Sequence, residues 1–137
     1  MVTLARPIPQ RGAAAADPLA ALAARYPDWF ALGTITPPPG WRALVERLFT
    51  ELDAALTGPA RAQFQVAAVR ERDGRLQVAT YVEPPAARAL IDRTAAEAAR
   101  ICQSCGAPGK RKAFAGWTAT LCAACRRRWG AMTIGGR

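Results

Sequence analysis

All four cysteines fall in one run near the C-terminus, "CQSCGAPGKRKAFAGWTATLCAAC", from Cys102 to Cys125. Their spacing, C-x2-C-x16-C-x2-C, lies in the range that gathers four thiolates around one tetrahedral ion. Two intervening residues let each pair wrap one side of such an ion, and the longer segment returns the second pair to the other side. Gly106, just after the first pair, allows the sharp turn that aims backbone N–H groups at the sulfurs. Cys102, Cys105, Cys122 and Cys125 are therefore predicted to hold a structural Zn²⁺. With all four positions protein-filled, no site is open to water, so the metal is expected to fold the segment and to catalyse nothing. A mononuclear iron site with four thiolates has similar geometry.

Two other fates for the thiols fit less well. Structural disulfides need an oxidising compartment, and the first residues place Arg6, Pro7, Pro9 and Arg11 where an export signal needs a continuous apolar segment. A thioredoxin-like centre needs one Cys-x-x-Cys beside a βαβ unit, and two pairs bracketing a hairpin do not resemble that. No stretch approaches the roughly 20 apolar residues of a membrane span. A soluble, intracellular chain with no membrane partner is the expectation.

The 137 residues suffice for one domain, or for one small core with an appendage. Residues 1 to about 40 are rich in Ala and Pro and close on "TPPPG", which neither a helix nor a sheet accepts in its interior. Leu19, Leu22, Ala23 and Tyr26 predict a short helix there, Trp29 and Phe30 are expected to dock onto the core, and the first dozen residues to be poorly ordered. From Trp41 to Leu56, apolar residues recur at Trp41, Leu44, Val45, Leu48, Phe49, Leu52 and Leu56, the pattern of an amphipathic helix that Gly58-Pro59 would end.

The next stretch reads as a hairpin turning at Asp73-Gly74, with Phe64, Val66 and Ala68 on one face and Leu76, Val78 and Val82 answering. Pro84-Pro85 opens a second helix, about Ala86 to Arg100, whose stripe is Leu90, Ile91, Thr94, Ala98 and Ile101. The expected fold is α+β. A helix, β-hairpin, helix core at 41–101 is followed by a four-cysteine finger with a basic tail at 102–137. Within the finger, "KRKAFAGWTATLC" predicts a hairpin turning near Ala115-Gly116, and "CAACRRRW" the first turn of a helix, whose positive dipole end favours thiolates. Knuckle, hairpin and helix in that order suggest a treble clef over a plain zinc ribbon.

Catalytic constellations are missing. Histidine and asparagine are absent, and the one serine, Ser104, lies inside the first knuckle, which removes Ser-His-Asp and Cys-His arrangements. Most acidic residues alternate with arginines on solvated faces, and no glycine-rich phosphate loop occurs. No enzyme activity and no small-molecule substrate are expected.

Charge carries the remaining argument. The chain has a net charge of +9, of which +7 lies in its last 37 residues, where no Asp or Glu occurs. Abundant Ala and Arg suggest that coding bias supplies part of the total, but bias acts everywhere and this asymmetry does not. Four thiolates on Zn²⁺ carry about −2, so some of these arginines compensate the site. Lys110, Arg111, Lys112, Arg126, Arg127 and Arg128 are the candidates for phosphate contact. Phe114, Trp117 and Trp129 interleave with them as a stacking surface would, although small zinc domains also use aromatics to pad a thin core. Three consecutive helical arginines spread over about 200°, so they cannot all face one groove.

The runs "GWRALVERLFTELDAAL", "VAAVRERDGRLQVATYV" and "AAEAARICQSCGAPGKRKAFAGWTATLC" resemble a family of small, largely uncharacterised zinc-finger proteins common in bacteriophages and prophage regions. Its members join a Gly-Trp helix and a hairpin to a terminal Cys-Glu-x-Cys-Gly-Ala-Pro-Gly finger with a following Gly-Trp and Thr-Leu-Cys. The likeness spans about Gly40 to Cys125 and departs at the turn, where "RERDG" replaces the family's Lys-Glu-Lys-Phe-Gly. It implies zinc and a phage-linked setting in the cytoplasm of a bacterial host. Two expectations of function follow. The first is a non-catalytic finger protein binding nucleic acid through Lys110 to Lys112, Trp117 and Arg126 to Trp129. The second is an accessory or inhibitor protein that sets the Trp29-Phe30 region, the helix surface and the basic finger against an acidic host protein or nucleoprotein complex.

Overall fold

The structure is a computed structural model and describes residues 18–114 and 116–135. Expectations about the first dozen residues and about Ala115 lie outside the described residues, as does the side chain of Phe114. The elements run α1 (Pro18–Arg25), β1 (Thr34–Thr36), a 3-10 turn (Pro39–Trp41), α2 (Arg42–Ala55), α3 (Gly58–Gln63), β2 (Gln65–Arg72), β3 (Arg75–Val82), α4 (Pro85–Ala98), β4 (Lys110–Phe114), β5 (Trp117–Leu121) and α5 (Ala123–Gly135). The molecule is α+β.

The larger core forms where α2 lays Leu44, Val45, Leu48, Phe49 and Leu52 against the sheet and its neighbours. Each such burial contributes about 1.5–3 kcal/mol. Residues before α2 join the same core. Leu19, Leu22 and Tyr26 of the α1 region are buried, and Tyr26 stacks on Trp29 at 4.6 Å while Phe30 meets Phe49 at 4.9 Å. Trp29 and Phe30 thus dock inward, which removes them from the partner-binding surface expected of that region.

The sheet has three strands rather than two. β1 pairs in parallel with β2, Ile35 opposite Val69, and β2 pairs antiparallel with β3. A register irregularity between Val66 and Ala68 changes the expected face. The extra residue of such a bulge advances the alternation by one, so Val69 is buried with Phe64 and Val66 while Ala68 is only half-buried. On β3, Leu76 is buried and Val78 packs against the core, but Val82 is exposed. Asp73 and Gly74 both take positive φ, 52° and 79°, as the tight turn requires.

Two helix boundaries also differ from expectation. α2 stops at Ala55, with Leu56 already extended, and Gly58-Pro59 opens the short α3 instead of ending α2. A proline in the first turn forfeits no intrahelical bond, so it serves as a start there. In α4, Thr94 is buried because its hydroxyl bonds the Leu90 carbonyl at 2.9 Å. α2 and α4 are joined on their outer faces by Arg47 to Glu97 and by Arg93 to Glu51 at 2.6 Å.

The C-terminal segment rests on this core through backbone contacts at two glycines. The Gly40 N–H bonds the Gln103 carbonyl at 2.8 Å, and a Cβ at Gly40 would fall on the Cys102 and Gln103 backbone. At the other contact the Thr120 hydroxyl bonds the Gly74 carbonyl at 2.7 Å, and a Cβ at Gly74 would press on Ala119 Cα at 3.0 Å. Trp41, wholly buried, donates its indole N–H to the Ile101 carbonyl at 2.8 Å and so ties the start of α2 to the chain entering Cys102.

Candidate metal centre

Residues 102–106 form a tight knuckle. The Gly106 N–H bonds the Cys102 carbonyl at 2.9 Å, and the Cys102 N–H bonds the Ala107 carbonyl at 2.6 Å. β4 and β5 then form a hairpin in the register Lys110↔Leu121 to Phe114↔Trp117, with Gly116 at φ 93° in its turn. The chain leaves β5 at Leu121 and enters α5 at Ala123, which sets Cys122 at the head of the helix and Cys125 in its first turn.

The two pairs meet. The four Sγ atoms lie within 4.8 Å of one another, and Cys105 Sγ stands 3.7 Å from Cys122 Sγ. A tetrahedral ion with thiolates at about 2.3 Å has its sulfurs about 3.8 Å apart, whereas a disulfide needs about 2.05 Å. All four cysteines are free thiols, with Cys102 and Cys125 buried and Cys105 exposed. The cluster can hold one metal ion.

Its electrostatics favour thiolates on one side. Burial works against ionisation of Cys102, yet backbone hydrogen bonds from Cys122, Cys105 and Ser104 outweigh it and bring the thiol down to about 6. The Cys125 N–H, 3.4 Å from Cys122 Sγ, lowers the Cys122 thiol. Burial, reinforced by the Cys122 thiol, pushes Cys125 up to about 12. A divalent cation bound among the four sulfurs would favour their ionised form, Cys125 included.

The basic residues separate into two groups. Alternation along β4 puts Lys110 and Lys112 on one face and Arg111 on the other. The Arg111 face is the docking face: its Nε donates to the Asp73 carbonyl at 3.0 Å, beside the Thr120 contact to Gly74. Arg126 is also engaged, donating to the Leu121 carbonyl at 3.1 Å. Lys110 and Lys112 are exposed on the opposite face, and Arg127 and Arg128 are exposed on α5. Trp117 is 53% exposed and meets the half-buried Trp129 at 5.8 Å, so it pads the finger along one edge only. It lies diagonally across the hairpin from Lys112 on the same face.

Sequence reasoning placed the four cysteines but missed the second role of Arg111. Its signal was too distant to read, because Asp73 lies in a separate hairpin. No helix among the described residues is long and apolar enough to cross a membrane. No family model matches the chain, and no match is found among curated proteins or solved structures.

Proposed function

We propose that residues 102–135 form a structural zinc finger of the treble-clef type that binds nucleic acid without catalysing a reaction. The half-exposed Trp117 set diagonally to Lys112 carries this reading. A base stacks on an exposed indole while neighbouring ammonium groups neutralise its phosphates, a pairing that tolerates any sequence. Lys110, Lys112, Arg127 and Arg128 are the phosphate contacts, while Arg111 ties the finger to the Asp73 turn and Arg126 braces it from within. Zinc suits four thiolates in a closed tetrahedral site, and that closure supports a folding role over a catalytic one. The resemblance to phage and prophage finger proteins supports a phage-linked role in the bacterial cytoplasm.

The test is fluorescence anisotropy of metal-loaded protein against labelled single- and double-stranded DNA and RNA across a salt series. Lys110→Ala with Lys112→Ala is expected to lower the log–log salt slope by about 1.5–2. Trp117→Ala is expected to cost about 1–3 kcal/mol of affinity with little change in slope. Binding indifferent to both variants would overturn the reading.

A further inference from the structure

β3 is an edge strand. Among the described residues β2 is its one sheet partner, so alternate residues from Arg75 to Val82 turn their N–H and C=O groups away from the sheet. The strand, RLQVATYV, holds one charge and no proline, which leaves it few of the devices that blunt an edge. Tyr81 and Val82, 62% and 42% exposed, extend its apolar character.

Beside this edge lies an open groove of about 810 Å³. Four consecutive strand residues, Arg75 to Val78, line one wall. Successive side chains point to opposite faces of a sheet, so a wall built from consecutive residues follows the strand's edge. The other wall is α4, where Ala95, Ala96 and Ala99 present small side chains and leave room for those of an incoming strand.

The two ends differ in charge. At the finger end stand Arg72, Arg75 and Arg111, with Asp73 among them. None of the three forms an ion pair among the described residues, and Arg111 is engaged only through its Nε. At the other end Arg88 is held by Glu83 at 2.7 Å and Asp92 at 3.7 Å, so one carboxylate is in excess.

The geometry points to strand addition: the groove receives an extended peptide of a partner protein, acidic toward the finger and carrying small apolar side chains over the α4 alanines. Backbone bonds to the free edge of β3 supply affinity, and the arginines fix direction. A nucleic-acid strand fits less well, because its evenly spaced phosphates would meet Glu83 and Asp92 and leave the edge unpaired. This surface lies on the Arg111 side of the finger hairpin, opposite Lys110 and Lys112, so it stands independently of the nucleic-acid reading.

The test uses fluorescein-labelled octapeptides of alternating glutamate and valine, with a lysine–valine peptide and an oligothymidylate as comparison probes, on the metal-loaded full chain. The glutamate peptide is expected to bind and to shift the amide resonances of Leu76 to Val82, while the lysine peptide does not. Arg72→Glu with Arg75→Glu should weaken binding about tenfold or more. Ala96→Trp, which fills the groove and keeps every charge, should do the same, and Trp117→Ala should leave peptide binding unchanged. No peptide binding, indifference to Ala96→Trp, amide shifts centred on Trp117, or displacement of the peptide by oligothymidylate would overturn the inference. So would a β3-mediated dimer that excludes the peptide.

Discussion

The core and the finger reach a folded state by different means. Around α2 a continuous cluster of Trp, Phe, Leu and Val side chains is withdrawn from water. Among the described side chains of the finger, Ala119 and Leu121 are the buried apolar ones, joined by Cys102 and Cys125 themselves, with Trp129 packed alongside. Burial of those side chains alone is small against the entropy of ordering the segment, at about 1–2 kcal/mol per residue for the backbone. The core is held by the hydrophobic effect, and the finger brings together four thiols that can hold a metal ion.

The largest expected effect separates the two regions outright. Chelation, or Cys125→Ser, should collapse the amide dispersion of residues 102–135 and leave the α2 resonances native, because apparent metal binding in such sites supplies about 10–16 kcal/mol. Simultaneous loss of both regions would show that they fold as one unit. Next comes Phe49→Ala, expected to cost about 3–5 kcal/mol through the lost transfer energy and the cavity left behind. Urea unfolding followed by far-UV circular dichroism measures it, and competition with a chromogenic chelator should show metal affinity little changed.

The seam between the regions gives a smaller effect. Gly40→Val would drive a side chain into the Cys102 and Gln103 backbone and should lower stability by about 1–3 kcal/mol. Hydrogen exchange is expected to show the loss at the Gly40 and Gln103 amides first, with the interior of α2 still protected.

A finer test lies within the core. Asp53 accepts from Arg61 at 2.7 Å and from the Tyr26 hydroxyl at 2.8 Å. Arg61 first and Tyr26 second hold its carboxyl below the usual 3.8, while burial and then the Asp53 contact raise the Tyr26 phenol above 10. The lowered carboxylate contributes stability above pH 3.8 that is lost as pH falls through its folded value, and the raised phenol contributes below pH 10 and loses it as pH rises past its folded value. Tyr26→Phe should therefore lower stability at neutral pH, where both shifts contribute. In thermal melts the difference from the parent chain should shrink in acid and again in strong base.

The legibility of the sequence followed the same division. The cysteine cluster was readable because two Cys-x-x-Cys pairs at fixed spacing are a local signal, and α2 because seven apolar positions keep one period over four turns. The Asp73-Gly74 turn was readable from its need for positive φ. β1 was not, since Thr34–Thr36 is too short to show alternation and gains its identity by pairing with β2. The bulge near Val66 left no mark either, because two adjacent alanines fit either face. Gly58-Pro59 misled for a different reason: the same dipeptide ends one helix and opens another. The docking of the finger on the hairpin tip depends on contacts between residues 74 and 120, distant in the chain, which no window of sequence contains.

One metal ion held by Cys102, Cys105, Cys122 and Cys125 is expected to fold the C-terminal segment. Native mass spectrometry of protein purified without chelator, combined with iodoacetamide labelling, tests it most directly. The account predicts a single zinc per chain and four thiols that resist alkylation until the metal is stripped. A metal-free chain whose thiols label at once, or one lighter by two hydrogens for each disulfide, would contradict it.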